Sequence, residues 1–181
     1  ANNSLDGGSG NDTLAGAAGD DTYVVDSSSD VVTESSGEGT DLIQAFVTYT
    51  LPTNTENITL SGGSALTATG NSLNNTLTGN TASSTLAGAA GDDTYVISDV
   101  NNVVIESSGE GTDLIQASVT YTLPANTENI TLIGDSALTA TGNSLANTLT
   151  GNAASSTLAG AAGDDTYVIS DVNNVVIESS G

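Results

Sequence analysis

The sequence repeats at two nested periods, and this nesting restricts the folds open to it more than any other feature does. Residues 78–109 and 150–181 match at every position except one. Residues 6–77 are a more diverged copy of 78–149, so the long period is 72 residues. Chains of this kind usually form repeat architectures in which each unit packs on its neighbours. The third copy stops partway, and we expect the chain to be a piece of a longer array.

A nine-residue period lies inside the long one. Apolar residues recur at Leu77, Leu86, Tyr95 and Val104, separated by turn-rich hexads. Each hexad precedes a three-residue piece with an apolar centre, which indicates a short strand with one buried face. Two half-turns make a coil of about 18 residues, so the pattern predicts an all-β parallel β-roll or β-helix solenoid with four coils per unit. Between 114 and 141 the period slips, and three larger coils per unit remain an open alternative.

We therefore expect one continuous solenoid over residues 1–181, with units at about 6–77, 78–149 and a partial 150–181. Disorder is one alternative, because acidic chains with few aromatic residues often bury too little apolar surface to fold. A globular domain is another, although no segment predicts a helix. Hydrophobic residues make up 36% of the chain and recur at fixed intervals, which favours the solenoid.

The charge of the chain excludes several kinds of partner. It has 22 Asp and Glu but no Lys, Arg or His, for a formal charge of -22. Nucleic acid binding is excluded because it relies on basic side chains, and anionic membrane surfaces repel such a chain. Uncompensated charge of this size opposes compaction, so cations from solution must supply the missing charge if the chain folds.

Other absences limit how the chain is stabilised and where it acts. Without cysteine, neither disulfides nor thiolate metal sites form. No apolar run is long enough to span a membrane, so we expect no membrane insertion. The first residues lack the basic and apolar regions of a signal peptide, so any secretion signal is expected to lie outside this sequence.

One turn carries a recognisable motif. The stretch GGSGNDTLA at 7–15 fits the nonapeptide G-G-x-G-x-D-x-U-x, where U is a large apolar residue. In this stretch the sequence resembles the RTX family of haemolysin-type calcium-binding repeats. GEGTDLIQASVTYTL and GNSLANTLTGN look like the extended repeats of its large surface proteins. The resemblance implies a parallel β-roll that holds calcium between turns of successive coils, in proteins usually exported by type I secretion.

The aspartates that close the turns have the spacing that a calcium site between coils requires. Calcium takes about six to eight oxygen ligands, which two stacked turns can supply but one cannot. Aspartates should therefore pair at about the coil length, and the pairs are Asp12/Asp30, Asp21/Asp41 and Asp93/Asp113. Asp165 begins a fourth site, whose partner would lie beyond residue 181. Glycines let the turns aim carbonyl oxygens at the ion, and the candidates are Gly7, Gly16, Gly19, Gly37, Gly39, Gly88, Gly91, Gly109 and Gly111. The alternative is that the aspartates only cap tight turns.

The remaining polar turn residues predict a sparse set of ions. Where the first unit has Asp12 and Asp30, the second has Ser84 and Asn102, so we expect about one calcium per 72-residue unit. Asn75 and Asn147 supply amide oxygens or form hydrogen-bonded ladders, and both readings stay open. We expect Asp20, Asp92 and Asp164 to face solvent, or to contribute negative charge near the ion without binding it directly. Glu38 and Glu110 are within reach of an ion, whereas exposure is the default expectation for Glu34, Glu56, Glu106, Glu128 and Glu178.

These observations favour a structural role over a catalytic one. The usual catalytic bases and nucleophiles are missing, and a paired-carboxylate glycosidase is the chemical option that remains. We expect no enzyme, but a calcium-binding rod of a secreted bacterial protein, extracellular or on the cell surface. The rod would serve as an adhesin stalk, or as a filament or surface-layer element that associates end to end. The alternatives are a ligand- or ice-binding face of Thr and Asn, and a non-catalytic accessory module of a secreted enzyme.

Overall fold

The structure is a computed structural model and describes residues 1–179. Over this range it contains twenty short strands and no helix, wound into a parallel β-solenoid of ten coils. Each coil contributes one strand to each of two sides. The fold class predicted from the nested periods is confirmed.

One side of the solenoid is a single parallel sheet of ten strands, called here the continuous sheet. Alternate residues of each strand point inward, and the branched and aromatic side chains suit a sheet with one buried face. Its strands are β1 (Ser4–Asp6), β3 (Thr22–Val25), β5 (Leu42–Ala45), β7 (Asn57–Leu60), β9 (Thr76–Thr78), β11 (Thr94–Ile97), β13 (Leu114–Ala117), β15 (Asn129–Leu132), β17 (Thr148–Thr150) and β19 (Thr166–Val168).

The other side, called here the broken sheet, falls into three pieces. Backbone pairing joins β2 to β4, β6 through β12, and β14 through β20, and it stops between these pieces. Its strands are β2 (Thr13–Leu14), β4 (Val31–Val32), β6 (Tyr49–Thr50), β8 (Thr67–Thr69), β10 (Thr85–Ala87), β12 (Val103–Ile105), β14 (Tyr121–Thr122), β16 (Thr139–Thr141), β18 (Thr157–Ala159) and β20 (Val175–Ile177).

A tyrosine hydroxyl bridges each break. The Tyr49 hydroxyl donates to the carbonyl oxygen of Asp30 at 2.9 Å, and the Tyr121 hydroxyl donates to that of Asn102 at 2.9 Å. Both carbonyl groups stand at the start of a strand whose neighbour has moved out of backbone pairing. Because buried carbonyl groups need partners, the hydroxyl replaces the missing bond between strands.

The register settles the number of coils. Paired core positions of the continuous sheet are separated by 18, 20, 15 and 19 residues in turn, namely Leu5, Tyr23, Ile43, Ile58 and Leu77. The same steps recur from Leu77 to Leu149. Four coils therefore fill one unit. The irregular stretch from 114 to 141 contains one short coil and not a larger one.

The core is a thin layer between the two sides. Each strand of the continuous sheet places an apolar side chain inside, and Tyr23, Ile43, Leu77 and Tyr95 are fully buried. Leu86 and Val104 meet them from the broken sheet. At about 4.8 Å per coil, the ten coils form a rod about 48 Å long.

The tightest contact between coils lies where two turns stack. The amide of Gly91 donates to the carbonyl oxygen of Glu110 at 2.7 Å, and Gly19 donates to Glu38 in the same way. A Cβ on Gly111 would collide with the carbonyl oxygen of Gly91 in the preceding coil. Glycine is required here by the approach of two backbones.

We expect Gly111→Ala to lower the free energy of unfolding by about 2–3 kcal/mol, because backbone cannot move aside as a flexible side chain can. Urea unfolding followed by circular dichroism measures the effect. The matched control is Gly63→Ala, since a Cβ at Gly63 would have no atom within 4 Å. Equal stability of the two variants would contradict the stacking shown here.

Candidate metal centre

A file of polar residues runs along the edge of the solenoid where each coil enters the continuous sheet. The backbone amide of Asp21 donates to Asp41 Oδ1 at 2.8 Å, and that of Asp93 donates to Asp113 Oδ1 at 2.9 Å. The amides of Asp41 and Asp113 donate in turn to Glu56 Oε2 and Glu128 Oε2, both at 2.9 Å. The ladder engages one oxygen of each acceptor carboxylate, and the other oxygen of Asp41 is buried without a partner.

The inward oxygens gather into two groups of three carboxylates. The first triad is Asp21, Glu34 and Asp41, and the second triad is Asp93, Glu106 and Asp113. All six residues are at most 8% exposed. Within each triad one oxygen of each carboxylate lies within 4.8 Å of the others. The pairs Asp21/Asp41 and Asp93/Asp113 are thus brought together as the spacing predicts.

Several of these oxygens are buried and have no hydrogen-bond partner. They are Asp21 Oδ2, Glu34 Oε2 and Asp41 Oδ2 in the first triad, and Asp93 Oδ2 and Glu106 Oε2 in the second. A buried carboxylate oxygen without a partner is costly, because the charge has lost its water and gained nothing in return. Two oxygens bound to one calcium at about 2.3–2.6 Å lie at most about 5 Å apart. The carboxylate oxygens of each triad therefore have the chemistry and the spacing that a calcium site requires.

Glu34 and Glu106 correct the sequence-based expectation of exposure, since both are buried. Glu34 follows Val32 by two residues, so strand alternation turns both side chains inward. The Tyr23 hydroxyl donates to Glu34 Oε1 and accepts from the Gly16 amide at 2.7 Å. Tyr95, Glu106 and Gly88 repeat this arrangement. The alternation in VVTE at 31–34 and in VVIE at 103–106 is the sequence signal that could have identified these two buried carboxylates.

Burial raises the pKa of several carboxyl groups in the triads above the ordinary value. Burial, followed by repulsion from Asp113, raises the pKa of Glu106 to about 8. Burial and the charge of Asp41 raise the pKa of Glu34 to about 7. Burial raises the pKa of Asp93 to about 6, although the Asn75 amide opposes it. Each pKa is raised because ionisation would add negative charge to a buried group of carboxylates that has no cation beside it.

The predicted pair Asp12/Asp30 differs from the triads. The two residues lie in register on the opposite edge, and the Asp12 amide donates to Asp30 Oδ1 at 3.0 Å. Asp30 Oδ2 accepts from the amides of Asp26 and Ser27 at 3.2 and 3.1 Å. These amides, that of Asp12 first, lower the pKa of Asp30. The pair leaves one buried oxygen unpartnered, Asp12 Oδ2, and no third carboxylate joins it among residues 1–179.

Asp165 repeats the position of Asp21, and its Oδ2 is also buried without a partner. The Tyr167 hydroxyl contacts Glu178, which is exposed, as expected. No third carboxylate completes this group within the described residues. Asp20, Asp92 and Asp164 are exposed, as expected of the variable position.

The uncharged turns close by hydrogen bonds between side chains and backbone. Buried Asn75 accepts from the Asn71 amide at 2.8 Å and donates to the carbonyl oxygen of Thr55 at 3.3 Å. Ser84 Oγ accepts from the Leu66 amide at 3.1 Å. Asn147 and Ser156 repeat these contacts. The asparagines thus form ladders, one of the two roles that the sequence leaves open for them.

The predicted glycines lie beside the paired carboxylates and in the turns that stack on one another. A Cβ on Gly16 or Gly88 would meet the unpartnered oxygen of Asp21 or Asp93, and one on Gly7 would meet Asp12. Positive φ angles of 139°, 127°, 82° and 82° occur at Gly19, Gly91, Gly37 and Gly109. Gly39 stacks on the carbonyl oxygen of Gly19, as Gly111 does on Gly91. Ala17 and Ala89 also have positive φ, at 61° and 70°, where the nonapeptide has glycine.

Comparison with known proteins identifies the turns. A family model of the RTX calcium-binding nonapeptide repeat matches four copies, over residues 1–32, 69–104 and 141–176. The matches contain Asp21 and Asp93 but stop before the other members of both triads. Endo-1,3-1,4-beta-glycanase ExsH of Rhizobium meliloti (strain 1021) is 44% identical over 57 residues, which are 32% of this chain and 12% of that protein. The chain thus corresponds to a small part of this relative. No solved structure matches it.

The search for a membrane span gives a negative result over residues 1–179, where no helix is long and apolar enough to cross a bilayer.

Without metal, we expect the chain to lose stability as the pH rises from about 5 to 8. A carboxylate with a raised pKa binds more protons in the folded state than in the unfolded state, whose pKa is about 4, so stability falls through this window. Thermal melts of metal-stripped protein at several pH values measure the slope. Saturating calcium should flatten it, because the cation replaces the proton as counter-charge. Melts of stripped protein that rise with pH, or do not move, would contradict the prediction.

Proposed function

Because the chain belongs to the RTX calcium-binding nonapeptide repeat family, we propose that it is a rod whose coils are held together by calcium at the two triads. Calcium is the cofactor of these repeats, and the repeat solenoid is a structural fold. Asp21, Glu34 and Asp41 would hold one ion, and the second triad another. Carbonyl oxygens of the turn glycines Gly16, Gly19, Gly37 and Gly39, and of their counterparts Gly88, Gly91, Gly109 and Gly111, are the proposed remaining ligands.

The unpartnered carboxylate oxygens are the observation that carries this proposal. Each triad buries three carboxylates, and the chain has no Lys, Arg or His to pair with them. Only a bound cation or a proton removes that cost, and calcium accepts the irregular oxygen set that stacked turns offer. The Asp12/Asp30 pair and Asp165 remain predicted ligands, with fewer free oxygens to support them.

The proposed role of the rod is mechanical and extracellular. Near-identical units add length without adding a new site, as expected of an adhesin stalk or of a filament or surface-layer element. The absence of Lys and Arg suits exposure to secreted proteases, because trypsin-like enzymes find no cleavage site. Secretion by the type I route is the proposed path to the surface.

A second candidate is a non-catalytic accessory module attached to a secreted enzyme. The observation that favours it is the similarity to a stretch of a protein named as an endo-1,3-1,4-beta-glycanase. Catalysis in this chain itself has little support. His, Lys, Arg and Cys are missing, and carboxylates that bind calcium are poor proton shuttles.

Calcium titration by calorimetry tests the ligand assignment. We expect the chain to bind two ions at the triads and Asp93→Asn to lose one of them, because the variant removes the central carboxylate of the second triad. The matched control is Asp92→Asn, which removes the same charge from an exposed neighbour and should keep both ions. Identical stoichiometry of the two variants would overturn the assignment.

Glu106→Gln tests whether the glutamate of the second triad, which lies outside the family motif, is a calcium ligand. We expect at least a tenfold loss of affinity at the second triad, about 1.4 kcal/mol, because a charged ligand becomes neutral at nearly the same volume. Glu178→Gln is the control, since Glu178 is the counterpart of Glu106 in the partial unit, is exposed and belongs to neither triad. Terbium luminescence excited through Tyr95 gives a second measurement of ion binding at the second triad. Unchanged affinity in Glu106→Gln would remove Glu106 from the ligand set.

Small-angle scattering of the calcium-loaded chain tests the rod. We expect an elongated particle about 48 Å long, because ten coils stack at about 4.8 Å. Negative-stain microscopy of the same sample separates the two mechanical roles, since a stalk segment stays dispersed while a filament element forms fibres. A compact particle in saturating calcium would contradict the rod.

A further inference from the structure

The outward face of the continuous sheet is almost free of charge. Its outward positions form two rows of side chains that run the length of the rod, one residue of each row per strand. From β3 to β19 these positions hold Thr, Val, Leu, Asn and Gln, and Asp6 in β1 is the one charged residue on the face. In a chain of charge -22, the carboxylates are thus kept almost entirely off this face.

The carboxylates lie along the edges of the rod. Fourteen of the 22 occur in the segments that lead from the broken sheet into the continuous sheet, and most of the others lie in the turns of the opposite edge. Two copies that meet edge to edge therefore repel each other. Two copies that meet through their continuous sheets bring neutral surfaces together.

We infer that the continuous sheet is a docking face for a second copy of this chain, packed sheet against sheet. Hydroxyl and amide groups donate and accept equally well, so one such face is complementary to another, as a two-fold interface requires. Val24, Leu42 and Val96 add apolar surface among the threonines. Facing sheets pack about 10 Å apart, which places the acidic edges at the sides and not within the contact.

The size of the face sets the strength of the contact. Ten strands at about 4.8 Å and two rows about 7 Å apart give a footprint of roughly 45 by 13 Å, or about 600 Å². Stable interfaces bury about 800 Å² on each partner. A single array of this length should therefore form a weak dimer. Salt and calcium should strengthen the dimer because both reduce repulsion between the edges.

The broken sheet is also uncharged on its outward side but is less suited to this contact. Its pairing stops twice, and Val31, Val103 and Ile105 stand beside the breaks with 52%, 49% and 53% of their surface exposed. Backbone pairing is interrupted there, whereas it runs unbroken through all ten strands of the continuous sheet. It therefore supplies the matched control and not the proposed interface.

Sedimentation equilibrium in saturating calcium tests the inference. Thr78→Glu with Thr150→Glu places two charges on the continuous sheet, and Thr69→Glu with Thr141→Glu places two at half-buried positions of the broken sheet. We expect wild type to dimerise below about 1 mM and the first pair to weaken the dimer at least tenfold, because like charges face each other across the contact. The second pair should stay within about twofold of wild type.

Three results would overturn the inference: wild type that stays monomeric throughout, equal loss in both pairs, or loss in the broken-sheet pair alone. Calorimetry on the same samples should find two bound ions in every variant, so failure at the face is distinguishable from failure at the calcium sites. If the first pair does not fold, Thr78→Cys replaces it, because the chain has no other cysteine. A disulfide dimer should form with Thr78→Cys and not with Thr69→Cys.

Discussion

Negative charge buried between neighbouring coils is the constraint on which the rest of the structure depends. Each triad places three carboxylates out of water, and the chain offers no cationic side chain to meet them. The folded state must therefore take its positive charge from solution, as protons at low pH or as calcium near neutral pH. Binding free energy at such a site becomes folding free energy, because the unfolded chain has no preformed site.

The dependence on metal is concentrated at one coil interface in four. The triads lie at the 20-residue steps from Tyr23 to Ile43 and from Tyr95 to Ile115. The other three interfaces of a unit close mainly by ladders, in which an amide of one coil meets a carboxylate or amide oxygen of the next. These ladders leave few buried oxygens without partners, so they need no ion. In the proposed arrangement, calcium would join segments of several coils that hold together by backbone pairing and apolar contact.

The sequence predicted the parts of this arrangement that depend on regular spacing. The nine-residue period gave the fold, and the aspartates at 18 and 20 residues gave the pairs that lie in register, because each one stands just before a strand. The expectation of exposure for Glu34 and Glu106 is wrong, because the alternation of the preceding strand and not the turn motif determines where these side chains point. The breaks in the broken sheet beside Tyr49 and Tyr121 could not be predicted from the sequence. The dipeptide YT is typical of any short strand, and the loss of pairing depends on the lengths of adjacent coils.

The same repeat that positions the triads also keeps the sheet faces neutral, and this separation has a physical reason. Strand residues alternate between core and solvent, and a carboxylate on the outward rows would stand about 4.8 Å from its counterparts in the next coils. Such a column would repel itself with no ion to relieve it, whereas a turn can fold around a cation. Acidic residues are therefore tolerated where turns form and disfavoured where strands stack. Each added unit brings one more triad on the edge and four more neutral strands on the face, so axial and lateral contacts grow together.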